Sequence, residues 1–228
     1  MLNNFSFSKV LVLAAHPDDE TLGMGGTLAK MASSGIEIMV VILTEGVNSR
    51  NSKEQNESKW RIESCKKALG IMGISNFVIG NFRDNALDSY PIIDLVKWVE
   101  QVVAEFRPDA VFSTSPFDLN IDHRYVAEIA QIISRPMENS SVNQLFFYEV
   151  RSSSEWRFAS ENFKPNVYFD IDKYSGKKID ALGCYSQELR DFPHPRSIKA
   201  INALSVIRGS EAGFNNAEAF VLGFLRNS

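Results

Sequence analysis

Two short stretches carry residue types that can do chemistry. The first, Ala15-His16-Pro17-Asp18-Asp19-Glu20, puts one imidazole and three carboxylates directly after an apolar run. Ionised carboxylates at a buried strand end are costly unless they are paired or bound to a cation. The second, Ser115-Pro116-Phe117-Asp118-Leu119-Asn120-Ile121-Asp122-His123-Arg124, repeats the arrangement about a hundred residues later. The chain holds 3 histidines, and two of them, His16 and His123, stand in these stretches among aspartates. An acidic helix start with Asp18 or Asp19 as cap accounts for the carboxylates but gives His16 nothing to do. Two imidazoles and a carboxylate suit zinc in a catalytic arrangement, where three protein ligands leave a fourth position open. An all-oxygen magnesium site has no use for both imidazoles.

Both stretches must be positioned by regular elements. Lys9–Ala15 (KVLVLAA), Glu37–Leu43, Phe77–Phe82, Ala110–Thr114 and Gln144–Val150 are short apolar runs and read as buried strands. Helical spacing predicts helices over Thr21–Ser34, Lys59–Leu69, Ile92–Phe106 and Asp122–Ser134. The polar stretch Val47–Ser58 reads as a mobile loop, with Arg50 in it solvated. In the last third, Val167–Ile171 resembles a strand, and helices are expected over Asp172–Arg190 and Ser197–Ile207, with Phe192–Pro195 breaking the pattern. Alternating strands and helices imply a mostly parallel, Rossmann-like sheet with helices on both faces, an α/β three-layer sandwich. Ligands of such sheets sit beyond the carboxyl ends of strands, where both Asp/His stretches fall.

Composition bounds the function. At 228 residues, 44% apolar and 23% charged, the chain reads as a single domain, residues 1–228, able to bury a full core. Lys and Arg number 24 against 28 Asp and Glu, a net charge of −4, which argues against a general nucleic-acid binder. Cys65 and Cys184 cannot build a disulfide framework or a cysteine-rich zinc site, which fits a reducing cytosol. No signal peptide and no run of the ~18 apolar residues of a membrane span is read. The expectation is a cytoplasmic protein with no stable membrane insertion; a homo-oligomer is left open.

With these residues in view, the chain resembles the PIG-L/LmbE family of zinc-dependent N-acetylglucosaminyl de-N-acetylases. AHPDDE after the first strand and NIDHR later carry the likeness. Thr44-Glu45-Gly46, Arg61 with Glu63, Asp84, Tyr185-Ser186-Gln187, Arg208-Gly209 and Ala217-Glu218-Ala219-Phe220 extend it over most of the chain. The resemblance implies that His16, Asp19 and His123 hold Zn2+ and that Asp18 is the general base. The chemistry supports this division, because adjacent carboxylates do not both point the same way. It further implies that Glu45, Arg61 and Asp84 contact sugar hydroxyls, although Arg61 is equally served by a salt bridge to Glu57 on its own helix. Asp122 is expected to orient His123 or another site group, or to cap a helix. One departure stands out: many family members carry a histidine where this chain has Asn120. An asparagine amide donates a hydrogen bond but transfers no proton, so Asn120 or a backbone donor is expected to steady the oxyanion. His194, between Pro193 and Pro195, reads as a surface residue rather than a replacement imidazole.

The function implied is removal of an acetyl group from an N-acetylamino sugar, an N-acetylglucosamine-type conjugate, by a metal-dependent amide hydrolase. The alternatives are a thiol-conjugate amidase of the same superfamily, a non-catalytic Rossmann-like sugar or nucleotide module, and a magnesium phosphatase using Asp18 and Asp19. The glycines of Gly23-Met24-Gly25-Gly26 lack dinucleotide spacing and read as close helix–sheet packing. Phe146, Phe147, Tyr148 and Cys65 read as core.

Overall fold

The computed structural model describes residues 6–45, 52–158 and 162–227. The chain order is β1 (Lys9–Ala14), α1 (Asp19–Ser33), β2 (Glu37–Thr44), α2 (Ser52–Met72), β3 (Phe77–Phe82), α3 (Ile92–Phe106), β4 (Ala110–Thr114), α4 (Ile121–Ile133), β5 (Gln144–Tyr148), β6 (Val167–Asp170), α5 (Ser175–Gly183), α6 (Ile198–Ala212) and β7 (Ala217–Leu225). Side chains alternate across a strand, so each strand feeds two cores. Val10, Val12 and Ala14 pack with Leu28 of α1, Leu69 of α2, Ala181 of α5 and Ile201 of α6. Leu11 and Leu13 pack on the opposite face with Val99 of α3 and Val126 of α4. The architecture is the expected α/β three-layer sandwich.

The sheet runs β3-β2-β1-β4-β5-β7-β6. Strands β1 to β5 pair in parallel. From β1 the chain winds outward to β2 and β3, then returns to place β4 on the other side of β1. That reversal makes the β1/β4 edge the topological switch point, and both Asp/His stretches leave the sheet there.

The differences from the sequence expectation have local causes. Strand β7 was not foreseen; it inserts between β5 and β6 and pairs antiparallel with both. Helix α2 begins at Ser52, so residues 52–58 are helical rather than loop: Lys, Glu and Gln are good helix formers even where no apolar period marks them. Arg50 and Gly46 lie outside the described residues. The helix expected over Asp172–Arg190 is a short 3-10 turn at Asp172–Tyr174 followed by α5, which stops at Gly183.

Helix α1 kinks at Met24 (φ −146°, ψ 23°). The break opens backbone groups, and β7 and α5 close them. Glu218 accepts from the N–H groups of Gly26 (3.0 Å) and Thr27 (2.6 Å). Lys178 donates to Glu218 (2.6 Å) and to the Leu22 carbonyl (2.8 Å). The glycines serve close packing, as their spacing suggested: a Cβ on Gly23 would stand 2.2 Å from the Tyr148 ring, and one on Gly26 2.8 Å from Ile171. Phe146, Phe147, Tyr148 and Cys65 are buried.

Candidate metal centre

Four residues beyond β1, the chain turns sharply at Asp18, which takes φ +125°, a backbone region that costs a non-glycine residue of order 1–3 kcal/mol. The turn is locked from both sides. The Asp18 N–H donates to Glu20 Oε2 (3.2 Å), and its carbonyl accepts from Thr21 (3.1 Å) and Leu22 (2.8 Å) at the start of α1. The adjacent carboxylates are thereby sent apart. Asp19 Oδ2 is held by the N–H groups of Ala15 (3.2 Å) and His16 (2.9 Å), while Asp18 Oδ2 receives Arg196 Nη1 at 2.9 Å.

His123, in the first turn of α4, meets this turn across the β1/β4 edge. The His16 and His123 rings are 5.3 Å apart. Each ring is fixed by a carboxylate on its far nitrogen. His16 Nε2 lies 3.0 Å from Asp84 and 3.2 Å from Asp122, and Asp122 is held in turn by the Leu87 N–H at 3.0 Å. His123 Nδ1 lies 3.2 Å from Asp118, which also accepts from Ser153 (3.1 Å), Ser154 and the Asn120 N–H (2.9 Å). Such outer carboxylates fix the ring that a metal ligand must present. The near atoms face one another: ligand atoms of His16, Asp19 and His123 all lie within 4.8 Å of one another. His123 Nε2 and Asp19 Oδ1 are buried, have no hydrogen-bond partner, and stand 3.3 Å apart. Two unpartnered buried polar atoms cost about 1–3 kcal/mol each. A divalent cation between them is the partner that fits, and the two-nitrogen, one-oxygen donor set is one that zinc accepts.

The electrostatics follow the geometry. Burial opposes charge on His123, but the Asp19 and Asp118 carboxylates prevail and raise its pKa to about 9. Burial likewise opposes charge on His16, whose pKa Asp122, Asp19 and Asp84 hold well above the ordinary value. Asp19 goes the other way: burial would raise it, yet the two imidazoles keep it well below the carboxylate range. Asp18 is pushed up to about 6 by burial, Arg196 opposing and Asp19 adding. One turn thus holds an ionised carboxylate next to one that accepts a proton near neutrality.

The remaining expected residues divide. Asp84 joins the cluster through His16. Arg61 pairs with Glu188, not with Glu57, and Glu188 also lies 3.4 Å from Arg196. Glu45 accepts from Ser58 at the end of β2. Asp122 orients His16 rather than His123. Asn120 Oδ1 caps α4 by accepting from the Asp122 N–H (2.8 Å) and the His123 N–H (3.4 Å), and its Nδ2 donates to Asn85 (3.2 Å). With Oδ1 in the cap and one of the two Nδ2 N–H groups on Asn85, one amide donor remains. His194 accepts from the Arg196 N–H (3.1 Å) and packs edge-on to Trp156, so the segment after Phe192 does reach the site, through Arg196 instead of His194. Asp118, Arg196 and Glu188 were not foreseen. Asp118 stands in the second stretch, where its spacing from His123 was a usable signal; Arg196 lies 178 residues from Asp18 and gave none. Tyr185, in the Tyr185-Ser186-Gln187 signature, donates to the buried Glu20 at 2.9 Å.

A model of the PIG-L family, described as GlcNAc-PI de-N-acetylase, matches residues 11–134. Diacetylchitobiose deacetylase of Thermococcus kodakarensis is 29% identical over 220 residues, covering 92% of this chain and 81% of the relative. A probable N-acetyl-alpha-D-glucosaminyl L-malate deacetylase 2 of Bacillus anthracis is 26% identical over 187 residues, covering 78% and 80%. Among solved structures, 4-carboxy-2-hydroxymuconate hydratase GalB of Pseudomonas putida KT2440 superposes with a TM-score of 0.78 at 22% identity, covering 97% of this chain and 98% of that one; the likeness shows the fold alone.

Proposed function

The chain belongs to the PIG-L family, whose model spans more than half of it, and on that premise we propose that it is a zinc-dependent hydrolase that removes the acetyl group from an N-acetylglucosamine-type conjugate. The observation that carries the reading is the pair of orphaned atoms, His123 Nε2 and Asp19 Oδ1, beside a second carboxylate aimed elsewhere. His16, Asp19 and His123 would hold the ion. When bound, zinc supplies Lewis acidity toward water and toward an amide carbonyl.

The chain's own groups do the rest. Asp18, with its pKa near 6, takes the proton of the attacking water and returns it to the departing amine, a role worth about 10²–10⁴-fold. Asp122, Asp84 and Asp118 keep the two imidazoles turned toward the metal. Arg61, midway along α2, and Glu45, just past β2, are assigned to the sugar hydroxyls together with Asp84. Asn120 caps α4 through Oδ1, and its second amide N–H is assigned to the oxyanion. We read residues 1–228 as one domain acting in the cytoplasm; among the described residues no helix is long and apolar enough to cross a membrane.

The test is an assay of free amine and acetate from N-acetylated sugar conjugates with zinc-loaded protein, alongside metal analysis. About one zinc per chain and amine release are expected. A protein that binds zinc and hydrolyses none of a panel spanning disaccharide, inositol, malate and thiol conjugates is not this enzyme.

A further inference from the structure

Arg196 enters the metal centre from the segment before α6, and its contact there is with the base rather than with a metal ligand. Its Nη1 donates to Asp18 Oδ2 at 2.9 Å and lies 3.4 Å from Glu188, while its Nε donates to Ser152 Oγ at 2.7 Å. Ser152 is held in turn, its N–H donating to the two Glu155 oxygens at 2.9 and 3.1 Å. The arginine backbone is fixed as well. Its N–H donates to His194 Nδ1 at 3.1 Å, and the next residue, Ser197, is the N-cap of α6. Glu188 also pairs with Arg61 of α2. Charges therefore alternate, Arg61, Glu188, Arg196, Asp18, across four separate segments of the chain.

A planar guanidinium clamped at Nε and Nη1 has one direction in which to present its fork, and the carboxylate that meets it inherits that direction. Asp18 is buried, and a buried carboxylate left without a cation is strongly destabilising. Arg196 supplies one. The ion that His16, Asp19 and His123 are placed to hold would supply another, bound through the very next residue of the chain. Three protein ligands leave a zinc site with an open position, whereas four protein ligands close it and leave no place for water. With Oδ2 engaged by Arg196, Asp18 has its charge compensated away from the ligand set, and Oδ1 is left for a proton.

We propose that Arg196 is a positioning residue that holds the Asp18 carboxylate off the metal, so that Asp18 serves as a base and does not become a fourth ligand. The proposal rests on the deacetylase reading, and two measurements keep their failures apart. The first is kinetic. Arg196→Met is expected to lower kcat about 10²-fold, the scale of a misplaced reacting group, with KM unchanged. In the Asp18→Asn background the same substitution is expected to cost nothing further, because the two groups act as a pair. An Arg196→Met enzyme that keeps its kcat, or that loses as much in both backgrounds, as a merely structural strap would, overturns the proposal. The second measurement is zinc affinity, read by chelator competition on the zinc-loaded proteins, and it needs no turnover. Arg196→Met is expected to bind zinc about 10–100-fold tighter, the range over which partners around a metal tune affinity. Asp18→Asn/Arg196→Met is expected to bind it no tighter than Asp18→Asn. Equal affinity in Arg196→Met and the wild type overturns the proposal. So does tightening in both backgrounds, the mark of a lost positive charge acting through its field alone. If no conjugate is hydrolysed, the deacetylase reading fails, and the zinc measurements still decide the role of Arg196. Arg196→Gln serves where Arg196→Met does not fold.

Discussion

Asp18 and Asp19 are chemically identical neighbours with opposite environments, and the difference comes from one backbone turn. At φ +125° the Asp18 side chain leaves the imidazoles and meets Arg196; Asp19 stays between them. Replacing each by asparagine is therefore expected to fail differently. Asp18→Asn keeps the ligand set, so zinc content stays near one per chain while kcat falls about 10²–10⁴-fold. Asp19→Asn removes the anionic ligand and loses both metal and turnover. Equal loss of zinc in the two variants, read by metal analysis of the purified proteins, contradicts the division of labour. Residue types were legible in the sequence where the chemistry is concentrated in a few neighbouring positions: His16, Asp18, Asp19 and His123 announced themselves by being polar at strand ends. Their supports were not, because Arg196 and Glu188 come from a segment whose local pattern is that of an ordinary surface turn. Asn120 carries a second task that its position alone did not announce: its side-chain oxygen caps α4.

At the scale of elements, the parallel half of the sheet was readable because buried parallel strands are continuous apolar runs bounded by turns. Strand β7 (AEAFVLGFL) carries a comparable apolar run, but its first residues drew attention as a motif and hid the strand. Its Glu218 is explained by the α1 kink, not by chemistry at the metal. The packing that the kink permits is tight: Gly23→Ala places a methyl group into the Tyr148 ring, and such overpacking is expected to cost about 1–3 kcal/mol, a fall of several degrees in a thermal melt. A neighbouring pair makes a pH-dependent case. Glu149, just past β5, is buried, and burial raises its pKa despite Arg208, whose guanidinium lies 2.8 Å away. Arg208→Met leaves that carboxylate with only the more distant Arg151, 3.9 Å away, at a cost of up to about 3 kcal/mol near neutral pH. Because the folded-state pKa lies above the unfolded value, the neutral acid is the form the fold prefers. The deficit of the variant is thus smallest in acid and grows as pH rises through the folded pKa. Melts of variant and wild type that run parallel across this range would contradict the assignment.

At the scale of the molecule, the site is a charge-balance problem that the fold leaves open. Around two imidazoles stand Asp18, Asp19, Asp84, Asp118 and Asp122, of which Asp19, Asp118 and Asp122 are fully buried, with Arg196 and Arg61 closing one flank and the core of the sheet the other. Carboxylates gathered this way repel, and a cation between His16, Asp19 and His123 would relieve that repulsion while giving His123 Nε2 and Asp19 Oδ1 a partner. The α/β scaffold tolerates the cluster because it sits at the β1/β4 switch point, outside both apolar cores, where its cost does not propagate into β1 or β4. Metal removal is then expected to destabilise the whole chain, since any ion that binds the folded state alone adds RT ln(1 + [L]/Kd), about 2.7 kcal/mol at a hundredfold excess over Kd. The measurement is a pair of thermal melts, zinc-loaded and chelator-stripped, followed by zinc titration back into the stripped protein. The melting temperature should climb with the logarithm of free zinc and recover the loaded value. His123→Ala discriminates the specific site from loose binding to surface carboxylates. It removes a ligand while leaving the acidic cluster intact, so its melt should no longer respond to zinc. A His123→Ala protein that is stabilised by zinc as strongly as the wild type would mean that the ion binds elsewhere, and the catalytic argument built on these three residues would go with it.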